Sequence, residues 1–306
     1  MMNRRITLLL FFGIFLLQTT AWQLPCQTVS SQSGSDSLTF VKAKWSTRII
    51  HMGGIILRQC AFTDSSLFNS NQYVSVLEIG SSFRFDIVAD TALVLTTDFA
   101  TYAEAYAAVN GSYFAWDAPW NSVNYLRIDG KELAPNRLPG NGIRTSHQSG
   151  CVVISEKGKL TIRKVPDQVM ATSYSDIWER EIKAEDILSS GPVLRVQGKD
   201  EPVLENAFNR TRHPRTALGV RRGGKVLMVV VDGRAEEAAG MTINELQDIM
   251  RWLRSWNAIN LDGGGSSTLA VRRNLRKPIQ VVNHPSDNRL FDHKGERRVA
   301  NAIVVK

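Results

Sequence analysis

Two short runs in the C-terminal third hold the residues best suited to chemistry, Asp232-Gly233-Arg234 and Asp262-Gly263-Gly264-Gly265-Ser266-Ser267. Each begins where an apolar stretch ends, and a third run, Arg215-Thr216-Ala217, opens such a stretch. Two carboxylates and a guanidinium are equipment for acid–base or nucleophilic work on an anionic substrate. Consecutive glycines let a backbone approach a ligand closely and present N–H donors to an anion, and Ser266 and Ser267 add hydroxyls. The run lacks the spacing of a P-loop, so nucleoside triphosphate hydrolysis is disfavoured. Taken singly, Asp232-Gly233 also reads as an ordinary turn, Asp262 as a loop residue and Arg215 as a neutralising partner.

The elements around these runs explain why they should meet. Ala217 to Val220, a turn at Arg221 to Gly224, and Lys225 to Val231 predict a β-hairpin. Thr242 and Glu245 have the spacing of a capping box, and Ile243, Leu246, Ile249, Met250, Leu253 and Trp256 mark one apolar helix face ending near Asn257. Ala258 to Leu261 then predicts a short strand. A strand–helix–strand unit is a crossover, so the strands ending at Val231 and Leu261 should run parallel and deliver Asp232 and Asp262 to one sheet edge. Antiparallel pairing in the hairpin should bring Arg215 and Thr216 beside Asp232. Ligands of open α/β sheets bind at such an edge.

Further upstream, short β-branched and aromatic runs between Trp45 and Val94 predict a strand-rich half. A helix is expected over Asp98 to Val109, ended by Asn110-Gly111, followed by an aromatic loop. Lys199 to Pro214 reads as a polar excursion. The expected fold is α+β: a single domain with a central twisted mixed β-sheet flanked by helices and a strand-rich N-terminal half. Its divisions are a signal peptide at 1–21, a flexible leader at 22–39 and the folded domain at 40–306, within which 40–95 either complete the sheet or form a separate strand-rich cap.

The 306 residues carry 37 Lys or Arg against 29 Asp or Glu, a formal charge of +8, with 43% apolar residues. That is globular composition rather than disordered or collagen-like. Arg4 and Arg5 precede an apolar run from Leu8 to Leu17, with Thr19 and Ala21 at a cleavage-like site, which predicts export to the periplasm or beyond. The run is shorter than the roughly 20 residues that span a bilayer, and no transmembrane segment is expected. The basic balance suits an anionic substrate and equally suits plain solubility. Cys26 follows the apolar run, but Pro25 makes it a poor lipid-anchor signal. Cys60 and Cys151 are expected either to pair or to remain buried free thiols. No cofactor is required and no metal ligand set is assigned, although Asp232 and Asp262 are compatible with Ca²⁺ or Mg²⁺. Dispersed basic residues argue against a nucleic-acid partner. The oligomeric state stays open.

An ordered series of tokens gives a more specific reading: Asn110-Gly111-Ser112-Tyr113-Phe114, Ser190-Gly191-Pro192, Arg212 to Ala217, Asp232-Gly233-Arg234, Gly240-Met241-Thr242 with Glu245, Asn260 to Ser267, Asn283 to Ser286, and Glu296 to Asn301. In this series the chain resembles the phosphodiester glycosidase family over roughly residues 105 to 306. The resemblance implies a hydrolase that cleaves a sugar, N-acetylglucosamine-like, from a sugar-1-phosphodiester at the anomeric C–O bond, leaving a phosphomonoester. The expected substrate is a cell-envelope or extracellular glycan. Such chemistry needs a carboxylate near the anomeric carbon, as nucleophile or as base for water.

Asp262 and Asp232 are the expected catalytic pair, with Glu245 a weaker third because it doubles as the helix cap. Arg215 is the expected phosphate clamp, with Thr216, Gly233, Gly263, Gly264, Gly265, Ser266 and Ser267 completing the cradle and Arg298 a further cation. Tyr113, Phe114, Trp116 and Trp120 are either sugar-stacking rings or core. Asn110 either hydrogen-bonds a sugar hydroxyl or merely adopts the left-handed turn that Gly111 also favours, and the resemblance favours the substrate-binding reading for both. The scattered histidines, His51, His147, His213, His284 and His293, show no ligand spacing and read as structural. Two other functions are compatible with these residues: a non-catalytic glycan or phosphoglycan binder, and a metal-dependent phosphodiesterase that breaks P–O.

Overall fold

The structure is a computed structural model and describes residues 30–172 and 177–306. The signal-like segment, Cys26 and the first part of the leader lie outside the described residues. Val226–Val231 is apolar at every position and fully buried, because it is covered on both faces. On one face Met228 and Val230 join Leu218, Ile259, Val109, Val152 and Ile303 in the larger core. On the other, Val229 and Val231 join Ala217 and the apolar stripe of the Ile243–Trp252 helix. That helix begins with the expected capping box: Thr242 Oγ accepts from the Glu245 amide and the Glu245 carboxylate accepts from the Thr242 amide.

Val226–Val231 lies inside an eight-stranded sheet whose order is Ser46–His51, Ile55–Leu67, Ser70–Ile79, Val226–Val231, Arg215–Val220, Asn257–Asn260, Val193–Val196, Lys199–Asp200. Two five-stranded sheets complete the β-structure. One contains Ala107–Asn110 between Leu269–Val271 and Arg298–Val305, with Phe85–Leu95 at its edge; the other is built around Asp186–Ser190 and Gly150–Ile154. Residues 46–95 thus supply strands to two sheets rather than standing apart from them.

The expected mixed sheet is corrected, because every ladder among the described residues is antiparallel. The strands that end at Val231 and Asn260 do share a direction. They achieve it without pairing, since Arg215–Val220 lies between them and is antiparallel to both. Their exits therefore reach the same edge, as the crossover argument requires.

Two local expectations also change. The helix placed over Asp98–Val109 is only Thr96–Tyr102, ended by Glu104 in a left-handed conformation (φ 50°), and Ala107–Asn110 is a buried strand between two others. A short apolar run fits either periodicity, and here the two flanking ladders decide. The 22–39 leader is likewise not all leader: Ser30–Lys42 is a helix whose Phe40 packs on Trp45, Phe62 and Trp252.

Cys60 and Cys151 are free and buried, in different sheets, which resolves their two readings in favour of thiols. Among the described residues no helix is long and apolar enough to cross a membrane.

Candidate active site

The glycine run is clamped from both sides before any ligand is considered. The Leu261 amide donates to the Thr216 carbonyl (2.8 Å), the Asp262 amide to the Gly111 carbonyl (3.1 Å), and the Gly264 amide to the Pro214 carbonyl (2.8 Å). The Asn110 side-chain amide donates to the Asp262 carbonyl at 2.7 Å. Its oxygen accepts from Thr216 Oγ1 (2.9 Å) and the Thr268 amide (3.1 Å). Gly264–Ser266 then forms a single 3-10 turn, and Gly264 takes a left-handed φ of 62° that suits glycine.

Asp262 is only partly exposed, and burial pushes its carboxyl up to about 6. Ser266, the Gly263 amide, Arg297 and Arg234 act in the opposite direction and do not cancel the burial. The buried Ser266 hydroxyl has no hydrogen bond of good geometry, yet lies close enough to favour the charged carboxylate.

Two guanidinium groups press on this turn. A Cβ added at Gly264 would lie 3.0 Å from Arg234 Nη2, and one at Gly265 would run into the Arg297 guanidinium. At Gly264 the left-handed φ disfavours a side chain, and at Gly265 a side chain would displace the Arg297–Asp287 pair. Arg297 is paired with Asp287 (Nε to Oδ1 2.8 Å). Arg234 is exposed, has a left-handed φ of 66° and has no hydrogen-bond or ion-pair partner among the described residues. A non-glycine residue held there is strained, and such strain concentrates at functional sites. Arg234 and Arg297 stand within the family tokens, where nothing local marks either for a role beyond the place of Arg234 directly after Asp232-Gly233.

Asp232 is 1% exposed and both carboxylate oxygens are engaged. Oδ1 accepts from Asn283 Nδ2 (2.8 Å); Oδ2 accepts from the His284 amide (3.0 Å) and lies 2.9 Å from His284 Nδ1. The same Asn283 amide group donates to the Ser267 carbonyl at 3.0 Å, which ties Asp232 to the far end of the glycine run. The His284 ring stacks on Phe291 (3.8 Å between centroids) and meets Tyr73 edge-on at 4.6 Å. Asp232 thus orients a histidine that lacked any recognisable spacing in the sequence.

Arg215 does not meet either acid. It pairs across the ladder with Val231, so the two share a face, while Asp232, one residue on, belongs to the opposite one. Its guanidinium is 1% exposed and donates to the carbonyls of Met241, Phe208 and Thr211, each at 2.8 Å. Burial lowers its pKa to about 10. The expected phosphate clamp is therefore a buried brace, which stands over the Phe208 ring at 4.8 Å. Glu245 is spent as well, on the Thr242 amide (2.8 Å) and on Arg212 Nε (3.1 Å).

The remaining sites divide between brace and surface. Thr216 and Ser267 bond one another at 3.2 Å beneath the turn. Gly233 and Gly263 pack against Pro214, and Gly111 against Asn301, without room for a side chain. Tyr113 donates to the Gly191 carbonyl (2.7 Å) and accepts from Asn260 (2.9 Å); burial first, then the charge of Asp262, drives its hydroxyl pKa upward. Phe114 and Trp120 are partly buried against the core, whereas Trp116 is 79% exposed. Arg298 is exposed at the start of its strand. Among the described residues no three His, Cys, Asp or Glu side chains converge as a metal ligand set.

Replacing Arg215 by Met should strand three buried carbonyl acceptors. Each uncompensated group costs about 1–3 kcal/mol, so denaturant unfolding should show a loss of at least about 3 kcal/mol. A neutral effect on stability would contradict the bracing role.

Comparison with known proteins places the chain in a family. The family model described as phosphodiester glycosidase matches residues 103–306, a span that includes Asp232, Asp262, Arg234, Arg297 and the Asn110 clamp. Among curated relatives, the SPbeta prophage-derived protein YomE of Bacillus subtilis is 30% identical over 106 residues, 30% of this chain and 16% of that protein. The N-acetylglucosamine-1-phosphodiester alpha-N-acetylglucosaminidase of Mus musculus is 36% identical over 81 residues, 26% of this chain. The chain spans only 14% of the mouse protein's length. In three dimensions it resembles the catalytic domain of the zebrafish enzyme of that name, auto-inhibited by pro-peptide, with a TM-score of 0.58 at 19% identity over 86% of this chain and 87% of the other. With its sequence matched from residue 103, just past the helix that ends at Tyr102, through the last strand, the chain belongs to the phosphodiester glycosidase family.

Proposed function

We propose that the chain is an exported glycoside hydrolase that releases an N-acetylglucosamine-like sugar from a sugar-1-phosphodiester of an envelope or extracellular glycan. The observation that carries this reading is Asp262: a carboxyl raised to about 6 on a glycine turn flanked by two guanidinium groups. One anchors chemistry at the anomeric carbon and the others suit the phosphate beside it. The mouse and zebrafish relatives, by their names, act on N-acetylglucosamine-1-phosphodiester, which supports the choice of sugar. Export rests on the Arg-flanked apolar run at Leu8 to Leu17.

In the proposed reaction, ionised Asp262 accepts a proton from water as the water oxygen bonds to the anomeric carbon. The bond from that carbon to the phosphate oxygen breaks, and its electron pair leaves with a phosphomonoester. A phosphate leaving group is a stable anion and asks little of a general acid. Arg234, which is not consumed by a protein partner among the described residues, faces the charge that builds on it, while the buried Ser266 hydroxyl supports the ionised form of Asp262. Asp232 acts through His284 rather than on the substrate, because no carboxylate oxygen is left open. Arg297 keeps the turn positively framed.

Asp262→Asn should lower turnover at least a hundredfold, and in the wild type kcat/KM should rise with pH through about 6, since the base works ionised. The folded carboxyl holds its proton at pH values where the unfolded chain, near 3.9, has lost it. Stability contributed by the protonated group is therefore present at low pH and lost as pH rises from about 4 to about 6. Asp262→Asn should gain about 1–2 kcal/mol over wild type at pH 7.5, after allowance for partial exposure, and nothing at pH 4. Thermal unfolding at the two pH values reads this out.

Arg234→Ala should reduce kcat/KM for a phosphodiester by ten- to a hundredfold with little change in melting temperature, because its side chain braces nothing. Hydrolysis in ¹⁸O-labelled water should place the label in the released sugar. Label in the phosphate would instead mean P–O cleavage, and binding without product would mean a glycan-binding protein.

A further inference from the structure

The main sheet has a second end, opposite the edge that carries Asp232 and Asp262. The register Val226↔Ile79↔Ile55 sets the hairpin turn at 221–224 level with the turn at 52–54. The loop at 272–279 belongs to the same end, because the His51 ring meets Tyr106 edge-on at 4.6 Å and the Tyr106 carbonyl accepts from the Arg272 amide at 2.9 Å. Between this loop and the edge strand Ser46–His51 runs a groove of about 430 Å³, lined by Arg48, Arg272, Arg273 and Lys277 together with Ile50 and Val282.

Charge without partners is the first property of this end. Arg273, Arg276 and Lys277 are exposed, and no hydrogen bond or ion pair holds their side chains among the described residues. Arg222 lies exposed over the Trp256 ring at 3.8 Å. No residue that lines the groove is acidic. Glu78 is taken by Arg221 and Lys225, each at 2.8 Å, and Glu104 stands exposed next to Ala105, whose carbonyl accepts from Arg272 Nε. Apolar exposure beside that charge is the second property: Met52, at the tip of its turn, is 88% exposed and Leu275 44%. Single apolar residues on a surface are ordinary. Here they stand among unpaired cations, a combination suited to the boundary between lipid headgroups and acyl chains.

From this surface we infer that the end of the fold opposite the catalytic edge docks on a bilayer rich in anionic lipid. Met52 and Leu275 enter the headgroup layer, and Arg273, Arg276 and Lys277 meet the lipid phosphates. A hydrated polyanion would pair with the same cations but would leave Met52 and Leu275 in water, so the lipid surface fits better. The inference stands independently of the hydrolase reading. Its consequence is orientation: Val226–Val231 and Asn257–Asn260 both run away from the docked end, so Asp232 and Asp262 face outward from the lipid.

Sedimentation with vesicles tests this, using the exported form of the chain without residues 1–21, whose apolar run would bind lipid by itself. Vesicles of equal parts phosphatidylglycerol and phosphatidylcholine should bind at least about tenfold more strongly than phosphatidylcholine alone. The difference should fade as salt rises from about 0.05 M to about 0.5 M. Arg273→Glu, Arg276→Glu and Lys277→Glu together should abolish the preference, and Met52→Ser should weaken binding to the mixed vesicles by about threefold or more, both with the melting temperature unchanged. Equal binding to the two vesicle types, binding to neither, or a preference that survives the triple charge reversal would overturn the inference. Full competition by heparin, with vesicle binding untouched by Met52→Ser, would identify a soluble polyanion as the partner and overturn it as well.

Discussion

The side-chain amide of Asn110 lies where two sheets meet, and the geometry of the whole site depends on its hydrogen bonds to Asp262, Thr216 and Thr268. One sheet supplies Asn110 itself, at the end of Ala107–Asn110; the other supplies Thr216 and the strand that leads into Asp262. The group is fully buried, so none of these bonds competes with water. Losing one would leave a polar atom unsatisfied in a dry interior, a penalty larger than the bond's net worth. That asymmetry fixes the glycine turn in position. A run of three glycines by itself would be among the most mobile segments of a chain; here its ends are tied to Gly111, Thr216 and Pro214.

Fixing the turn determines the electrostatics. Asp262 is drawn into low dielectric, which penalises its charge, and two guanidinium groups on the other side of the backbone only partly offset this. The result is a carboxyl near neutrality rather than one locked in a salt bridge. A full ion pair would have lowered the carboxyl pKa and made it a poor base. Glycine makes the arrangement sterically accessible, since side chains at Gly264 and Gly265 would hold Arg234 and Arg297 away.

Buried charge elsewhere in the same region serves a different purpose. Arg215 and Asp232 are both 1% exposed, and both are saturated by protein groups, one by three carbonyls and the other by Asn283 and His284. Saturation is what makes their burial tolerable, and it also removes them from direct contact with a ligand. The residues left with unused capacity are the exposed Arg234 and the half-buried Asp262.

What the sequence alone determined was local and periodic. The hairpin, the capped helix and the short strand before Asp262 follow from alternation, 3.6-residue spacing and a Thr-x-x-Glu cap, all set by neighbours in the chain. That these elements deliver Asp232 and Asp262 to one edge followed from connectivity, and the ordered tokens identified the family. Tertiary structure decided what depends on partners distant along the chain. Ala107–Asn110 became a strand because two other strands pair with it, although its residues also suited a helix. Arg215 went to the opposite face from Asp232 because side chains alternate along a strand and the register pairs Arg215 with Val231, one residue short of the acid. The convergence of Arg234, Arg297 and Asp262, like the approach of His284 to Asp232, joins segments separated by dozens of residues. No local pattern encodes such meetings, because their free energy comes from contacts that exist only once the sheets have paired.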